Sequence, residues 1–445
     1  MLLFVSLLSY VIPSGKFERV TVDGRATVVA ESFQFTEAKP LSLLDMFVAI
    51  PLGFRSAIDI IFIVLASGIM FGFVQHSRAF ENAIGSLVSR AGNNRKYMLV
   101  ILMTYLFGCL GIFVGYENNI ALIPLAALLS LAIGGDLMLA AGIAVGAVTI
   151  GFGLSPFNPY TIGTGHKLAE LPLFSGAGLR AALCFSALTL LAWYNLRYFK
   201  IIEKNPDKSL SDGLDISGLS LTMSAEQYKL SSRQILVLLT FAGSIIIILY
   251  GVFVHKWFIN QISAVFCMLA IVVGLINRNS EKEFGDITLK SVAVVAPGAF
   301  MVGFATSIKA ALEMGQISDT IAQGMASALE GLPLLLAGVG MAVAQSCMNF
   351  LIPSGSGQAL ATLPVLIPVG EVIGLTRQTT VLAFQVGDGV SNLINPALGG
   401  LIAMLSMCRV PLDRWLRFIF PLFIVISVVA LAFVAFSVAI YYGPF

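Results

Sequence analysis

With 445 residues, 58% hydrophobic content, only 11% charged residues and a mean hydropathy of +0.92, the chain prefers lipid to water over most of its length and reads as a polytopic membrane protein. Its net charge of +2 gives no reason to expect nucleic acid as a partner. Five cysteines, Cys109, Cys184, Cys267, Cys347 and Cys408, lie scattered in apolar context without CxxC or histidine pairing, so they read as buried small hydrophobes and not as metal or disulfide ligands.

The chain opens on LLFVSLLSYVIPSG, about a dozen apolar residues before Pro13 and Gly15, with no basic start of the kind a signal peptide needs. Residues 1–57 are therefore expected to hold a first transmembrane helix whose beginning is missing from this chain, or a short half-inserted helix, followed by a polar outer loop. Largely apolar windows follow at 58–75, 97–114, 137–153, 177–196, 234–254, 258–276, 291–308, 334–352 and 416–442. Each is long enough, at about 17 residues or more, to cross a hydrocarbon core of roughly 30 Å as a helix. They predict a first repeat over 58–200 with a hairpin at 97–135 and a broken helix at 137–165, and a Ser-, Gly- and Asp-rich cytoplasmic linker over 201–233. A second repeat over 234–415 carries a hairpin at 334–375 and a broken helix at 379–408, and a C-terminal transmembrane helix occupies 416–445.

Two pairs of segments support the duplication. ENNIALIPLAALLSLAIGGD (117–136) aligns with GQALATLPVLIPVGEVIGLT (357–376), placing Pro124 on Pro364, and SPFNPYTIGTG resembles SNLINPALGGL, with Asn158-Pro159 opposite Asn395-Pro396. Broken segments at corresponding positions of two halves point to a transporter's binding site.

Orientation follows from Lys and Arg near helix ends. If 97–135 enters and leaves on one side, the clusters Arg78 to Lys96, Arg197 to Arg233, Arg278 to Lys290 and Arg409 to Arg417 all fall on one face, the cytoplasmic one. The hairpin at 334–375 then opens on the other side, and the two hairpins point at each other. Counting both hairpins as full pairs of crossings spreads the basic clusters over both faces. The expected fold class is an all-α polytopic membrane protein of two inverted repeats, each with a re-entrant helical hairpin and a discontinuous transmembrane helix.

In LSPFNPYTIGTG (154–165), two prolines, an asparagine, a serine and two threonines interrupt an apolar run. Non-helical backbone at membrane depth is tolerated where it is buried in protein or lines a cavity. The same change to small and amide residues recurs at the hairpin tips 116–124 and 349–364 and around 385–400. Half-helix N-termini at such breaks suit a carboxylate. Exposed carbonyls with Asn, Ser and Thr oxygens, Thr161 and Ser391 among them, suit a sodium ion or an ammonium group, and a sodium site is expected near Asn119, Asn158, Asp388 and Asn395. The competing reading is that Gly, Ser and Asn only allow close helix packing.

Two acids lie inside these motifs, Glu117 at the first tip and Asp388 in FQVGDGVSN. Ionisable groups within membrane segments are costly and mark function. Asp59 reads as interfacial, Glu371 and Asp136 as solvated at hairpin exits, and His166 as an incidental loop residue. No HExxH, GxSxG or GxxxxGK[ST] is present, so the chain is not expected to be an enzyme, and energy is expected from an ion gradient.

The combination of IPSGKF, YENNIALIPL, FNPYTIGTG with LPLFSGAGLR, and IPSGSGQALATLPVLIPVGEVIGLTRQTTVLAFQVGDGVSNLINP resembles the YfcC-like branch of the C4-dicarboxylate anaerobic carrier (DcuC) family, within the ion-transporter superfamily. The resemblance spans nearly the whole chain. It implies a secondary carrier with a scaffold and a transport domain, working by an elevator movement, homodimeric, multi-pass in the bacterial cytoplasmic membrane, without an organic cofactor and coupled to Na+ or H+. It also implies substrate and cation contacts at Asn118, Asn119, Ser155, Asn158, Ser354, Ser356, Gln358, Asp388, Asn392 and Asn395. The branch carries two adjacent acids at the first tip, where this chain has Glu117 followed by Asn118, and no arginine lies in the four motifs to pair with two carboxylates. A small carboxylate-bearing metabolite, an amino acid or peptide, is thus expected ahead of a C4-dicarboxylate or short-chain organic acid. A gated channel and a membrane-embedded enzyme or structural subunit remain as other classes.

Overall fold

The computed structural model describes residues 2–443 except 23–24, 30–31, 92–94, 218, 220–228, 256, 258 and 330. The middle of the expected cytoplasmic linker and Lys256 therefore lie outside the described residues. Among those described, eight helices are long and apolar enough to cross a membrane: Ile58–His76, Lys96–Phe113, Ala177–Lys204, Ile259–Asn277, Glu281–Gly315, Leu334–Leu351, Gly355–Ile373 and Leu412–Ala439. The chain is a multi-pass membrane protein.

The first 57 residues depart from expectation. Helix α1 covers only Leu2–Leu8. The polar segment after it holds two antiparallel pairs, β1 (Gly15–Lys16) with β4 (Gln34–Phe35) and β2 (Arg19–Val22) with β3 (Arg25–Val28), so the fold is mostly helical and not strictly all-α. Alternating Arg, Val and Thr suits such short strands. Helix α2 (Leu43–Ser56) then starts at a capping box, with the Ser42 hydroxyl accepting from the Asp45 amide and the Asp45 carboxylate accepting from the Ser42 amide. Pro51 inside α2 and the shortness of its apolar stretch hide it from a window search.

The remaining helices form two groups. In the first, α2, α3 (Ile58–His76), α12 (Ile259–Asn277) and α13 (Glu281–Gly315) pack on one another, with α4 (Ala79–Ala91) and α11 (Ser232–His255) beside them and α14 (Ser318–Leu329) following α13. In the second, α5 (Lys96–Val114), a 3-10 turn at Glu117–Leu122 and α6 (Ile123–Ala132) occupy the segment expected to be the first hairpin. Helix α7 (Leu137–Ala141) continues through a π turn at Gly142–Gly146 into α8 (Ala147–Gly153), which packs on α5. The chain resumes with a wide turn at Pro159–Gly163, α9 (Thr164–Leu168) and α10 (Ala177–Lys204). The second hairpin pairs α15 (Leu334–Leu351) with α16 (Gly355–Ile373), and its first arm packs on α17 (Arg377–Ser391) as α5 does on α8. Helices α18 (Gly399–Met407) and α19 (Leu412–Ala439) close the chain. The two groups meet where α18 and the Glu117–Leu122 turn lie against α3 and α13.

Both expected interruptions are present, between Gly153 and Pro159 and between Ser391 and Gly399. Proline supplies no N–H, so Pro156, Pro159 and Pro396 withhold donors that a continuous helix would use. The asparagine before the proline compensates. Asn158 Oδ1 accepts from the Tyr160 and Thr161 amides at 2.8 and 3.3 Å, and Asn395 Oδ1 accepts from the Ala397 amide at 2.9 Å.

Candidate functional site

The two interrupted helices cross at glycine on glycine. A Cβ built on Gly153 would stand 2.6 Å from Gly389 Cα, and one on Gly389 would stand 2.5 Å from the Gly153 carbonyl oxygen. Such contact between backbones admits no side chain. The crossing sets Asp388, one residue away, beside the first break. Each expected hairpin tip then rests on the return half of an interrupted helix, the second tip on the first break and the first tip on α18. At the second tip, a Cβ on Gly355 would meet Thr161 Cγ2 at 2.4 Å and Asp388 Oδ2 at 3.1 Å. At the first tip, a Cβ on Gly400 would meet the Tyr116 ring at 2.7 Å and Glu117 Oε1 at 3.3 Å. Gly115, at φ 114°, turns the chain from α5 into that tip.

Asp388 is 0% exposed, and neither carboxylate oxygen has a hydrogen-bond partner. Among the described residues no ion pair involves it or Glu117. The carboxylate faces the first turn of α16, whose free N–H groups and dipole favour negative charge. A buried, unpaired carboxylate is expensive unless a cation or proton joins it.

Behind Asp388, Asn349 ties the second tip together. Its Nδ2 lies within hydrogen-bond distance of the Asp388 carbonyl at 3.1 Å, Ser391 Oγ at 2.7 Å and Asn392 Oδ1 at 2.7 Å, while Asn395 Nδ2 donates to the Asn349 carbonyl at 2.7 Å. Asp388, Ser391, Asn392 and Asn395 are thus one constellation with Thr161. Ser354 caps α16 by accepting from the Gly357 amide, and Ser356 sits in that helix's first turn.

At the first break, Asn158 Nδ2 donates to the Phe152 carbonyl at 3.0 Å and Ser155 Oγ accepts from the Phe157 amide at 3.1 Å. The Ser155 carbonyl receives Gln385 Nε2 at 2.8 Å, which fastens the break to α17. Asn118 and Asn119 are buried at the first tip, and Asn119 Nδ2 donates to the Gly115 carbonyl at 2.6 Å. Glu117 stands against Gly400 of α18, and neither it nor Asn119 hydrogen-bonds to the Asp388 carboxylate. Gln358 faces away from Asp388 in its bonding, because its Nε2 donates to Gln345 across the two hairpin arms at 2.5 and 2.8 Å. Among the described residues no group of three or more His, Cys, Asp or Glu forms a metal centre.

The structure adds residues outside the expected set. Asn349 and Gln385 are fully buried amides, and Tyr116 lies between the first tip and α8, with its hydroxyl 3.1 Å from Thr149 Oγ1. The signal for Asn349 was an amide at the end of an otherwise apolar arm, GVGMAVAQSCMNFL. Of the two acids expected to be solvated, Glu371 is exposed and Asp136 is buried. Asp136 caps α7 and accepts from Tyr198 and Ser209 at 2.6 Å each, and Glu371 pairs with Arg377. His166 is buried, its Nδ1 accepting from the Phe174 amide at 2.9 Å, and is not a loop residue in water.

Residues 1–439 match the family described as C4-dicarboxylate anaerobic carrier, DcuC. The chain is 30% identical over 376 residues to the candidate basic amino acid antiporter YfcC of Escherichia coli (strain K12), covering 82% of this chain and 74% of that one. It is 25% identical over 396 residues to an uncharacterized protein of Haemophilus influenzae, covering 88% and 77%. Among solved structures, the YdaH transporter of Alcanivorax borkumensis is 15% identical with a TM-score of 0.46, covering 100% of this chain and 98% of the other. MtrF of Neisseria gonorrhoeae, described with a class of antimetabolite efflux pumps, is 16% identical with a TM-score of 0.43, covering 98% and 92%. The family match spans the two hairpins, both interrupted helices and the C-terminal helix, and the chain belongs to the C4-dicarboxylate anaerobic carrier (DcuC) family, as a transporter and not an enzyme.

Proposed function

We propose that this transporter is a secondary carrier, driven by Na+ or H+, of a small carboxylate-bearing metabolite, with amino acids or peptides ahead of C4-dicarboxylates. The observation that carries the reading is the buried carboxylate of Asp388, unpartnered at the meeting point of the second tip and the first break. A cation beside it, either the coupling ion or the substrate's ammonium group, satisfies both oxygens. The first turn of α16 offers N–H groups to the substrate carboxylate. A dicarboxylate is less suited, since no arginine lies in either tip or either break to pair with a second carboxylate.

Basic amino acids form a second reading. They are favoured by the two acids, Glu117 and Asp388, one at each tip contact, and by the similarity to YfcC. In either reading, α2, α3, α12 and α13 are the fixed scaffold of a homodimer in the bacterial cytoplasmic membrane, and the interrupted helices with their hairpins are the moving, inverted repeats.

The test is counterflow in proteoliposomes with neutral and basic amino acids and C4-dicarboxylates, with and without a sodium or pH gradient. Asp388→Asn is expected to lose coupling-ion or substrate affinity if a cation pairs with the acid. If the acid carries a proton, the same variant is expected to abolish net uptake while exchange persists. An unchanged sodium dependence, pH profile and substrate affinity would make Asp388 structural and remove the reading.

A further inference from the structure

Where the two helix groups meet, a cavity of about 280 Å³ opens between α3, α13, the start of α6, the end of α18 and Leu219 of the linker. Its wall is apolar through Phe71, Ile287, Val294 and Met407. At one end stand three basic side chains, His76, Lys290 and Arg409, and among the described residues no Asp or Glu lines it. Arg409 shares its charge with Asp215 at 3.2 Å, and His76 feels Glu283 at the start of α13. Lys290 is exposed and has no ion pair among the described residues. Val294, which lines the cavity, is 53% exposed on the helix surface. All three basic residues lie on the face that the Lys and Arg distribution expects to be cytoplasmic, where basic pockets between transmembrane helices hold acidic headgroups.

We propose that this seam cavity binds an anionic phospholipid, with its phosphate against Lys290 and Arg409 and an acyl chain along Phe71, Ile287 and Val294. A free anion would find the charge but leave the apolar wall uncovered, whereas a zwitterionic lipid would cover the wall and leave the charge uncompensated. The bound lipid touches both helix groups and bridges them. The site is independent of which substrate the carrier moves.

The experiment measures thermal unfolding of the full, delipidated chain in neutral detergent with added phosphatidylglycerol, phosphatidylethanolamine or inorganic phosphate. Phosphatidylglycerol well above its dissociation constant is expected to raise the midpoint by roughly 5 °C, with little response to the other two. The H76Q/K290Q double variant is expected to keep its midpoint in detergent alone and to lose most of the phosphatidylglycerol shift. An equal shift with phosphatidylethanolamine, an equal shift with inorganic phosphate, or a full shift in the double variant would each overturn the proposal. In the wild-type chain, a photoactivatable phosphatidylglycerol is expected to label the peptides around 68–76 and 287–295, and labelling confined to other segments would equally overturn it.

Discussion

The two interruptions look alike in sequence and are held differently in space. Asn158 turns its donor back on its own helix, to the Phe152 carbonyl, while Asn395 sends its donor across to the Asn349 carbonyl in the hairpin arm. The acceptor end of each does the same work, taking an N–H two residues on. The second break is thereby stitched to its own hairpin through Asn349, and the first is held to its surroundings by the Gln385 contact to Ser155 and a longer one, at 3.4 Å, from Ser155 Oγ to the Ile112 carbonyl. Equivalent residues can preserve a turn while its tertiary anchoring diverges, because the turn needs only neighbours in the chain.

The largest test of this comparison strikes the point the two halves share. Gly153→Val or Gly389→Val forces a branched side chain into opposing backbone, and the loss is expected to reach the upper end of overpacking costs, about 3 kcal/mol or more, with aggregated protein on gel filtration. Gly178→Ala, where nothing stands within 4 Å, is expected to leave the unfolding midpoint unchanged. Tolerance of both valines would show that the crossing does not fix the halves.

Charge at the two tips separates them next. Asp388→Asn is expected to weaken substrate or coupling-ion affinity by about 10- to 100-fold, the range for a charged hydrogen-bonded contact. Glu117→Gln is expected to cost less than about tenfold, since Glu117 is partly accessible and Asp388 is not. Uptake titrations on both variants decide it, and equal losses would make the tips equivalent.

The amides give a smaller contrast. Asn349→Ala leaves the Ser391, Asn392 and Asp388 acceptors without their shared donor and is expected to cost about 2 kcal/mol, while Asn119→Ala removes a local bond to Gly115 and is expected to cost about 1 kcal/mol. Unfolding midpoints in detergent measure both, and the reverse order would contradict the stitching of the second break.

The smallest effect concerns the linker that joins the halves. Its start is strapped to the core by Asp136 with Ser209, by Arg414 with the Asp212 carbonyl, and by Arg409 with Asp215. Hydrogen bonds from Ser217, and then Arg409, hold the Asp215 carboxyl below its ordinary value of 3.8. A depressed acid contributes above its unfolded value and loses that contribution as pH falls through the lower folded one. The protection of amides 209–217 relative to their intrinsic exchange rates is therefore expected to be constant from pH 7 down to about 4 and to fall below it, and Asp215→Asn is expected to show the lower protection at pH 7, with the difference vanishing in acid.

Much of the site was legible because interruption of an apolar run is a local event. Proline cannot continue a helix without freeing a backbone group, and the small and amide residues around it replace the aliphatic run, so the breaks and the acids among them could be located in the chain. Helix α2 was hidden because its apolar stretch is short and contains Pro51, and the small β pairs because two- to four-residue strands leave almost no periodic trace. His166 read as an incidental loop residue and Asp136 as solvated because a single polar letter does not tell which neighbours will surround it.

The sequence by itself determined that the chain lives in a membrane, where its helices run and where two of them must break, since these follow from residue-by-residue transfer energies and from which residues lack donors. Only the tertiary structure decided that Gly153 lies on Gly389, that the tip at Gly355 meets Thr161 and the tip at Tyr116 meets Gly400, and that Asp388 is left without a partner while Gln358 turns to Gln345. Those outcomes depend on contacts between residues far apart in the chain, and the approach of two backbones at a pair of glycines is a property of the assembled helices that neither segment carries alone.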